Sequence, residues 1–386
     1  MARYLTHDLI LHLTLFQMVV ILAILDNTWL LHRARRHPAP PSLPMASILV
    51  PARNEERNIA GCIQSLLAQD YPCFEVLALD DGSSDATRTI LEQIAGSQPR
   101  LKVLLGSSPP AGWSGKNWAC AQLAGQAQGE LLFFTDADTV HQPTALRAFV
   151  TALVGERADL LSGFPLQEMH TWGERLLVPF FSWACLCFIP LRLAYRLRLP
   201  ALCSAVGQMM LFRREAYEAV GGHESVRTSV VDDLALARRV KASGLRWRAV
   251  SAIDLVSCRM YHGSGEALDG FGKNLFAAFD FRLLAFLSAY SWLAVLFWEP
   301  LVASGLHLAG RAPQARLDEL GLCIGLSLLV WLLPYLELGI NPGLALLYPV
   351  TVLANEAAAM RSLRLSLSGR LAWKGRKLVL PRWRWL

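Results

Sequence analysis

Carboxylates arrive in close pairs at three places in this chain: Asp80-Asp81, Asp136-Ala-Asp138 and Asp232-Asp233. The first pair closes the apolar run Val76 to Leu79, and the second closes Leu131 to Phe134. Neighbouring carboxylates repel unless a ligand or cation offsets their charge. Clustered oxygen ligands suit a hard cation such as Mg²⁺ or Mn²⁺. The carboxyl edge of an open α/β sheet is where such folds bind ligands. The chemistry to expect is cation-assisted and sits at one edge of a sheet.

Other polar stations flank these pairs. Gly82 permits a tight turn after Asp81, and Ser84 or Asp85 can cap the helix that follows. Capping accounts for Asp85 but not for two carboxylates on a strand end. Pro51-Ala-Arg53-Asn54-Glu55-Glu56 is a charged loop after the first strand, suited to hydrogen-bond a nucleotide base and ribose. Its alternative is a solvated turn before the next helix. Gly112-Trp-Ser-Gly-Lys116-Asn117 lacks the phosphate-loop spacing, so a flexible loop carrying Lys116 to a nucleotide is expected. Asp136 and Asp138 face one diphosphate–metal centre only while strand geometry lasts. Asp232-Asp233 opens a helical pattern, where complementing the helix dipole is sufficient reason for acids. Beside an acceptor hydroxyl, the same position serves a general base.

The elements that must position these groups alternate. Strands are expected at Ser47–Val50, Phe74–Leu79, Leu101–Leu105 and Glu130–Thr135. Helices are expected at Asn58–Ala68, Thr87–Ala95 and Trp118–Gln126. That alternation predicts βαβ units and a parallel sheet.

The chain has 386 residues, 53% hydrophobic and 18% charged. An ordinary soluble protein is nearer ~25% charged, so membrane segments are expected. Leu9 to Leu31 is one, followed rather than preceded by Arg33, Arg35 and Arg36, which predicts a retained anchor and a cytoplasmic domain after it. A Pro-rich linker follows at 37–45, and segments near Leu283–Ala309, Leu317–Leu338 and Leu344–Met360 return to the membrane. The basic tail should be cytoplasmic, which three full C-terminal crossings would contradict. Either one segment is re-entrant or Glu299-Pro300 splits the first into a hairpin. The aromatic and basic stretch 176–199 is expected to be an in-plane interfacial helix. A net charge of +6 fits anionic headgroups or a phosphorylated substrate. The basic residues form no aromatic-interleaved patch, so no nucleic-acid partner is expected. The eight cysteines show no C-x-x-C pair and are read as small buried hydrophobes.

In order and spacing, P-A-R-N-E-E at 51–56, D-D-G-S-S-D at 80–85, G-K-N at 115–117, D-A-D at 136–138, G-G at 221–222 and D-D at 232–233 resemble a family-2 inverting glycosyltransferase of the GT-A fold. The resemblance implies an α/β domain over 46–270, with a mixed, mainly parallel sheet flanked by helices, between an anchor at 1–36 and membrane helices with a basic tail at 271–386. It implies nucleotide-sugar contacts from Pro51, Arg53, Asn54, Glu55, Asp80, Asp81, Lys116 and Asp136, and a divalent metal on Asp138. Asp233 falls where the family's base sits, with Asp232 replacing the usual glutamate. Gly112 to Trp118, Gly270 to Asn274 and Trp373 to Arg376 look most like the membrane-bound bacterial branch that includes carotenoid- and hopanoid-associated enzymes. That branch implies transfer of one sugar, with glucose expected, from a UDP-sugar to a membrane lipid at the inner membrane. The Q-x-x-R-W motif of processive synthases is absent, and Lys273 is the only cation in its approximate place. A polysaccharide synthase, a polyprenyl-phosphate glycosyltransferase drawing on Arg192, Arg196 and Arg198, and a non-catalytic membrane scaffold remain the alternatives.

Overall fold

The computed structural model describes residues 2–312, 316–374, 376–377 and 382–385. Eight strands form one sheet: β1 (Ala46–Ala52), β2 (Phe74–Asp80), β3 (Leu101–Leu105), β4 (Leu131–Phe134), β5 (Thr139–His141), β6 (Leu160–Gln167), β7 (Met210–Arg213) and β8 (Trp247–Cys258). Their spatial order is β3-β2-β1-β4-β7-β6-β8-β5. Strands β1 to β4 pair in parallel, as do β6 and β8. Strand β7 runs antiparallel to β4 and β6, and β5 antiparallel to β8. The sheet is therefore mixed and mainly parallel, and the βαβ alternation gives way to reversal after β4.

Strands inside a parallel sheet are covered on both faces, and the side chains of β1 divide accordingly. Ile48 and Val50 join a core with Ile63, Leu66 and Phe149, from helices Ile59–Leu67 and Ala145–Gly155. Leu49 joins the opposite core, which runs without a break through Leu123 and Phe134 to Trp183, Phe297 and Trp331. That continuity fastens the sheet domain to the apolar helices.

Among the described residues, four helices are long and apolar enough to cross a membrane: Asp8–Arg33, Leu283–Leu308, Leu317–Glu337 and Pro342–Leu367. Leu283–Leu308 continues as a helix through Pro300, so Glu299-Pro300 makes no hairpin. The first and third lie side by side through Gln17 Nε2 donating to Ser327 Oγ (2.7 Å) and His32 against Glu337 (3.0 Å). The fourth begins as a 3-10 turn, Pro342–Leu347, and continues as Tyr348–Leu367. Its Tyr348 ring lies 5.8 Å from Phe297, while Arg361 pairs with Asp269 on the sheet domain and Ser362 accepts from the Phe276 amide.

Segment 176–199 departs from expectation. It is not one in-plane helix but parts of three short ones, Trp172–Leu177, Pro179–Phe188 and Leu191–Arg196, broken around Pro179 and Pro190. Proline lacks the amide that a continuing helix needs. The breaks leave carbonyls that Asn27, buried inside the N-terminal helix, satisfies. Its Nδ2 donates to Leu186 O and Ile189 O (both 2.9 Å), and its Oδ1 accepts from Leu191 N (2.8 Å). A polar residue in an apolar anchor thus pins the broken helices against it.

Candidate active site

The three acidic stations converge at the carboxyl edge of the sheet. Asp80 ends β2 and Asp81 follows it, both buried, and Asp80 Oδ1 accepts from Ser83 N (3.2 Å) in the turn that Gly82 makes at φ 68°. The β1 loop is tied to that turn. Arg53 Nη1 donates to Asp81 O (2.6 Å), and Asn54 Oδ1 accepts from Ser84 N (2.9 Å). Glu55 Oε2 accepts from Asn58 Nδ2 (3.0 Å). Arg53 and Asn54 thus hold the turn's backbone, and Pro51 lies in the β1 ladder opposite Leu79. Asp80, Asp81 and Glu55 supply the carboxylates.

Strand geometry does not last through the second station. Strand β4 ends at Phe134, and Ala137-Asp138 form a turn before β5. The turn still brings the two acids near each other. Thr139 Oγ1 donates to Asp136 O (2.8 Å), and the Cys258 thiol donates to Asp138 Oδ1 (3.4 Å). Burial, then the Asp136 and Glu55 carboxylates, push the Asp138 carboxyl up to about 7. A divalent cation would reverse that balance, so Asp138 suits a metal ligand. Among the described residues no three His, Cys, Asp or Glu groups close on one point. The other ligands would then be diphosphate oxygens and water, the usual company of Mg²⁺.

Lys116 sits in the first turn of helix Gly115–Gln126, not on a flexible loop. Ser114 caps that helix by accepting from Asn117 N (3.3 Å), and Asn117 Nδ2 donates to Val226 O (2.7 Å) and Ser229 O (3.1 Å). These bonds fasten the lysine's helix to the loop just before Asp232. Lys116 Nζ donates to Asp136 Oδ1 (2.7 Å). Burial opposes its charge, but Asp136 and Asp232 hold the ammonium well above its ordinary range.

The adjacent acids of helix Asp232–Ala242 differ in environment. Asp233 Oδ2 accepts from Gly207 N (2.9 Å). Burial and the Asp232 charge push Asp233 up to about 6, against the pull of Lys116. For Asp232, burial opposes the charge, yet Lys116 and the His223 ring hold the carboxyl below the usual range. Gly207, which no motif marked, lies between these groups. A methyl there would meet Lys116 Nζ at 3.3 Å and the Asp136 and Asp233 Oδ2 atoms at 3.5 Å each.

Two further cationic features enter the site. Lys273, on helix Ser264–Asn274, is shifted down to about 8 by burial and then by Lys116, with Asp232, Asp136 and Asp233 opposing. From the C-terminal tail, Lys374 pairs with Glu55 and Arg376 with Asp81 (2.5 Å). Neither tail pairing follows from local spacing.

Residues 47–221 match the model named Glycosyl transferase family 2. The chain carries a family 2 glycosyltransferase domain. Among curated relatives, it is 28% identical over 233 residues to 4,4'-diaponeurosporenoate glycosyltransferase of Staphylococcus aureus, covering 59% of this chain and 60% of the relative. It is 30% identical over 124 residues to glycosyltransferase AglE of Haloferax volcanii, covering 32% and 40% respectively. The matches thus span roughly half of either relative's length. A mannosyltransferase from Pyrobaculum calidifontis, solved with GDP-Man and Mn²⁺, aligns over 92% of this chain and 99% of its own, at 19% identity and a TM-score of 0.49.

Proposed function

We propose that this chain transfers a single hexose, glucose being the expected sugar, from a UDP-sugar to a hydroxyl or carboxyl of a membrane lipid of the carotenoid or hopanoid kind, with inversion. The observation that carries the reading is the convergence of Lys116, Asp136 and Asp233 around Gly207, with Asp138 beside Asp136. Glu55, Asp80 and Asp81 hold the nucleotide, and Asp136 and Lys116 face the sugar and diphosphate. Mg²⁺ or Mn²⁺ on Asp138, when bound, offsets charge on the leaving diphosphate. Asp233 takes the acceptor proton. A carboxylate raised to about 6 is still ionised at neutral pH and is a stronger base than an ordinary one. The kinship with a carotenoid-acid glycosyltransferase supports the acceptor class.

The membrane helices support a lipid acceptor, and Arg33, Arg35 and Arg36 after the first of them support a cytoplasmic site. Lys374 and Arg376 touch the sheet domain, so the chain between residues 274 and 374 returns to the side it left. Two crossings, Leu283–Leu308 and Leu317–Glu337, achieve this if Pro342–Leu367 is re-entrant. Its Tyr348 beside Phe297 and its Arg361 back at Asp269 favour that path.

The arginine cluster of the polyprenyl-phosphate alternative lies elsewhere. Arg192 and Arg196 line a cleft of about 260 Å³ with Arg33 and Arg248. Arg248 stands near the start of β8, and Cys258, bonded to Asp138, ends it. Because β8 bulges beside Pro165-Leu166, that stretch runs along only Leu161–Gln167 of β6, roughly 20 Å. The cleft thus opens toward the amino end of β8, whereas Asp138 stands at its carboxyl end.

The test is turnover of UDP-glucose by the detergent-purified chain with carotenoid or hopanoid lipids, followed by mass spectrometry for a hexose-mass shift. Asp138→Ala and Asp233→Ala should abolish the product. Unchanged turnover in either variant would refute the assigned role.

A further inference from the structure

The tail residues Lys374 and Arg376 lie far along the chain from the loops that they touch. Lys374 Nζ reaches Glu55 Oε1 and donates to Arg53 O (2.9 Å), while Arg53 Nε donates back to Lys374 O (3.4 Å). Arg376 Nη1 donates to Asp81 Oδ2 (2.5 Å), and its Nη2 to Asp81 O (3.3 Å). Two cations from one turn therefore meet two of the three carboxylates assigned to the nucleotide.

Local chemistry does not explain the choice of these residues. Lys374 joins the two-residue strands Ala372–Trp373 and Arg376–Lys377 with φ 44°. Tight hairpin turns in that conformation favour Asn, Asp or Gly, and a lysine there is strained. Arg376 lies against Gly115, the first residue of helix Gly115–Gln126, where a Cβ would collide with its guanidinium. A cation at a helix amino end opposes the dipole, whereas an anion between them satisfies both. The base and ribose also need the Asp81 and Glu55 carboxylates that the tail now covers.

We propose that Lys374 and Arg376 are donor-binding residues that exchange the Asp81 and Glu55 carboxylates for the diphosphate of the incoming nucleotide. Paired as they are, they offset the charges of buried Asp81 and part-buried Glu55. When the nucleoside displaces them, they close on the phosphates beside Lys116 and the amino end of the Gly115 helix. The tail then competes with the nucleoside and assists the diphosphate. This assignment rests on the donor-pocket reading above.

The two halves of the nucleotide separate the possibilities. Calorimetry on the full chain in detergent would compare UDP with uridine for the wild type, Lys374→Ala/Arg376→Ala and Arg376→Lys. The double variant should lose about tenfold or more in UDP affinity, as expected for charge-assisted contacts. Its uridine affinity should stay level or rise, and Arg376→Lys should keep most of the UDP affinity. A double variant that binds UDP as tightly as the wild type, or more tightly, overturns the proposal and makes the tail a plug. Asp80→Asn is the control for the pocket. If the wild type binds no UDP, or Asp80→Asn binds it unchanged, the donor pocket itself is misplaced.

Discussion

Asp80-Asp81 and Asp232-Asp233 are the same dipeptide at two stations of the site, yet their surroundings differ in kind. The first ends a strand, and its partners are a turn amide and guanidinium groups from Arg53 and the tail, which the proposed exchange would have a ligand displace. The second opens a helix amid fixed partners: the Gly207 amide, the His223 ring and Lys116. Exchangeable cations make a grip for a ligand. Fixed partners that push two adjacent acids in opposite directions separate a base from its counter-charge. The binding and proton-transfer roles proposed for the two pairs thus rest on neighbours rather than on residue type.

The largest break in this comparison is Asp233→Asn against Asp81→Asn. Removing a general base costs about 10²- to 10⁴-fold in rate, so Asp233→Asn should lower kcat by that order and leave UDP affinity near the wild-type value. Asp81→Asn should do the reverse, raising the donor KM more than it lowers kcat. Steady-state kinetics with a UDP-sugar, together with UDP titrations, would check both. A loss confined to KM in Asp233→Asn would assign that residue to binding.

Asp232→Asn sharpens the pairing through pH. As the proposed base, Asp233 would act as the carboxylate, so activity should rise with pH through about 6 and level off above it. Burial raises Asp233 first, and the Asp232 charge raises it further. Removing that charge should move the acid limb of the kcat/KM profile to lower pH. A limb that stays in place, or moves up, would show that the two carboxyls are not coupled in this sense.

Gly207→Ala should act between these extremes. The three atoms nearest the new methyl are the ends of the Lys116, Asp136 and Asp233 side chains, so the fold should survive while the space for reacting atoms shrinks. Small misplacements at a reacting centre cost up to about 10²-fold. The expectation is a clear fall in kcat with an unchanged melting temperature. Loss of both together would make Gly207 a packing residue.

Much of this comparison was legible along the chain. The acid pairs close or open elements whose periodicity is plain, so their common edge follows from sheet geometry. The sheet class and the apolar segments were legible for the same reason. What the sequence hid depends on contacts between distant segments. Gly207 approaches Asp233 through the path after β6, and the tail meets Glu55 and Asp81 across 319 and 295 residues. The opposed shifts of Asp232 and Asp233 arise from burial and from Lys116 on another helix. Segment 176–199 departs from one in-plane helix because Phe180, Trp183, Leu186 and Leu191 pack into the core shared with the other helices, a contact that local spacing does not reveal. Lys116 was read as a loop residue because the glycines around it obscured the cap at Ser114.

The smallest effect tests whether the fixed partners of the second pair are held from behind. The Tyr217 hydroxyl lies 2.9 Å from His223 Nδ1 and accepts from the His223 amide (3.1 Å), and the far side of that ring faces Asp232 at 3.7 Å. Tyr217→Phe leaves the packing and removes one buried partner, a loss of about 1 kcal/mol. It should lower the melting temperature slightly and reduce kcat only a few-fold, with the acid limb of the pH profile unmoved. Asp233 would keep both charges that set its protonation, because the hydroxyl orients His223 without touching either carboxyl. A shifted limb in Tyr217→Phe would mean that His223 passes its orientation on to Asp233, and that the second pair is less rigidly held than the first.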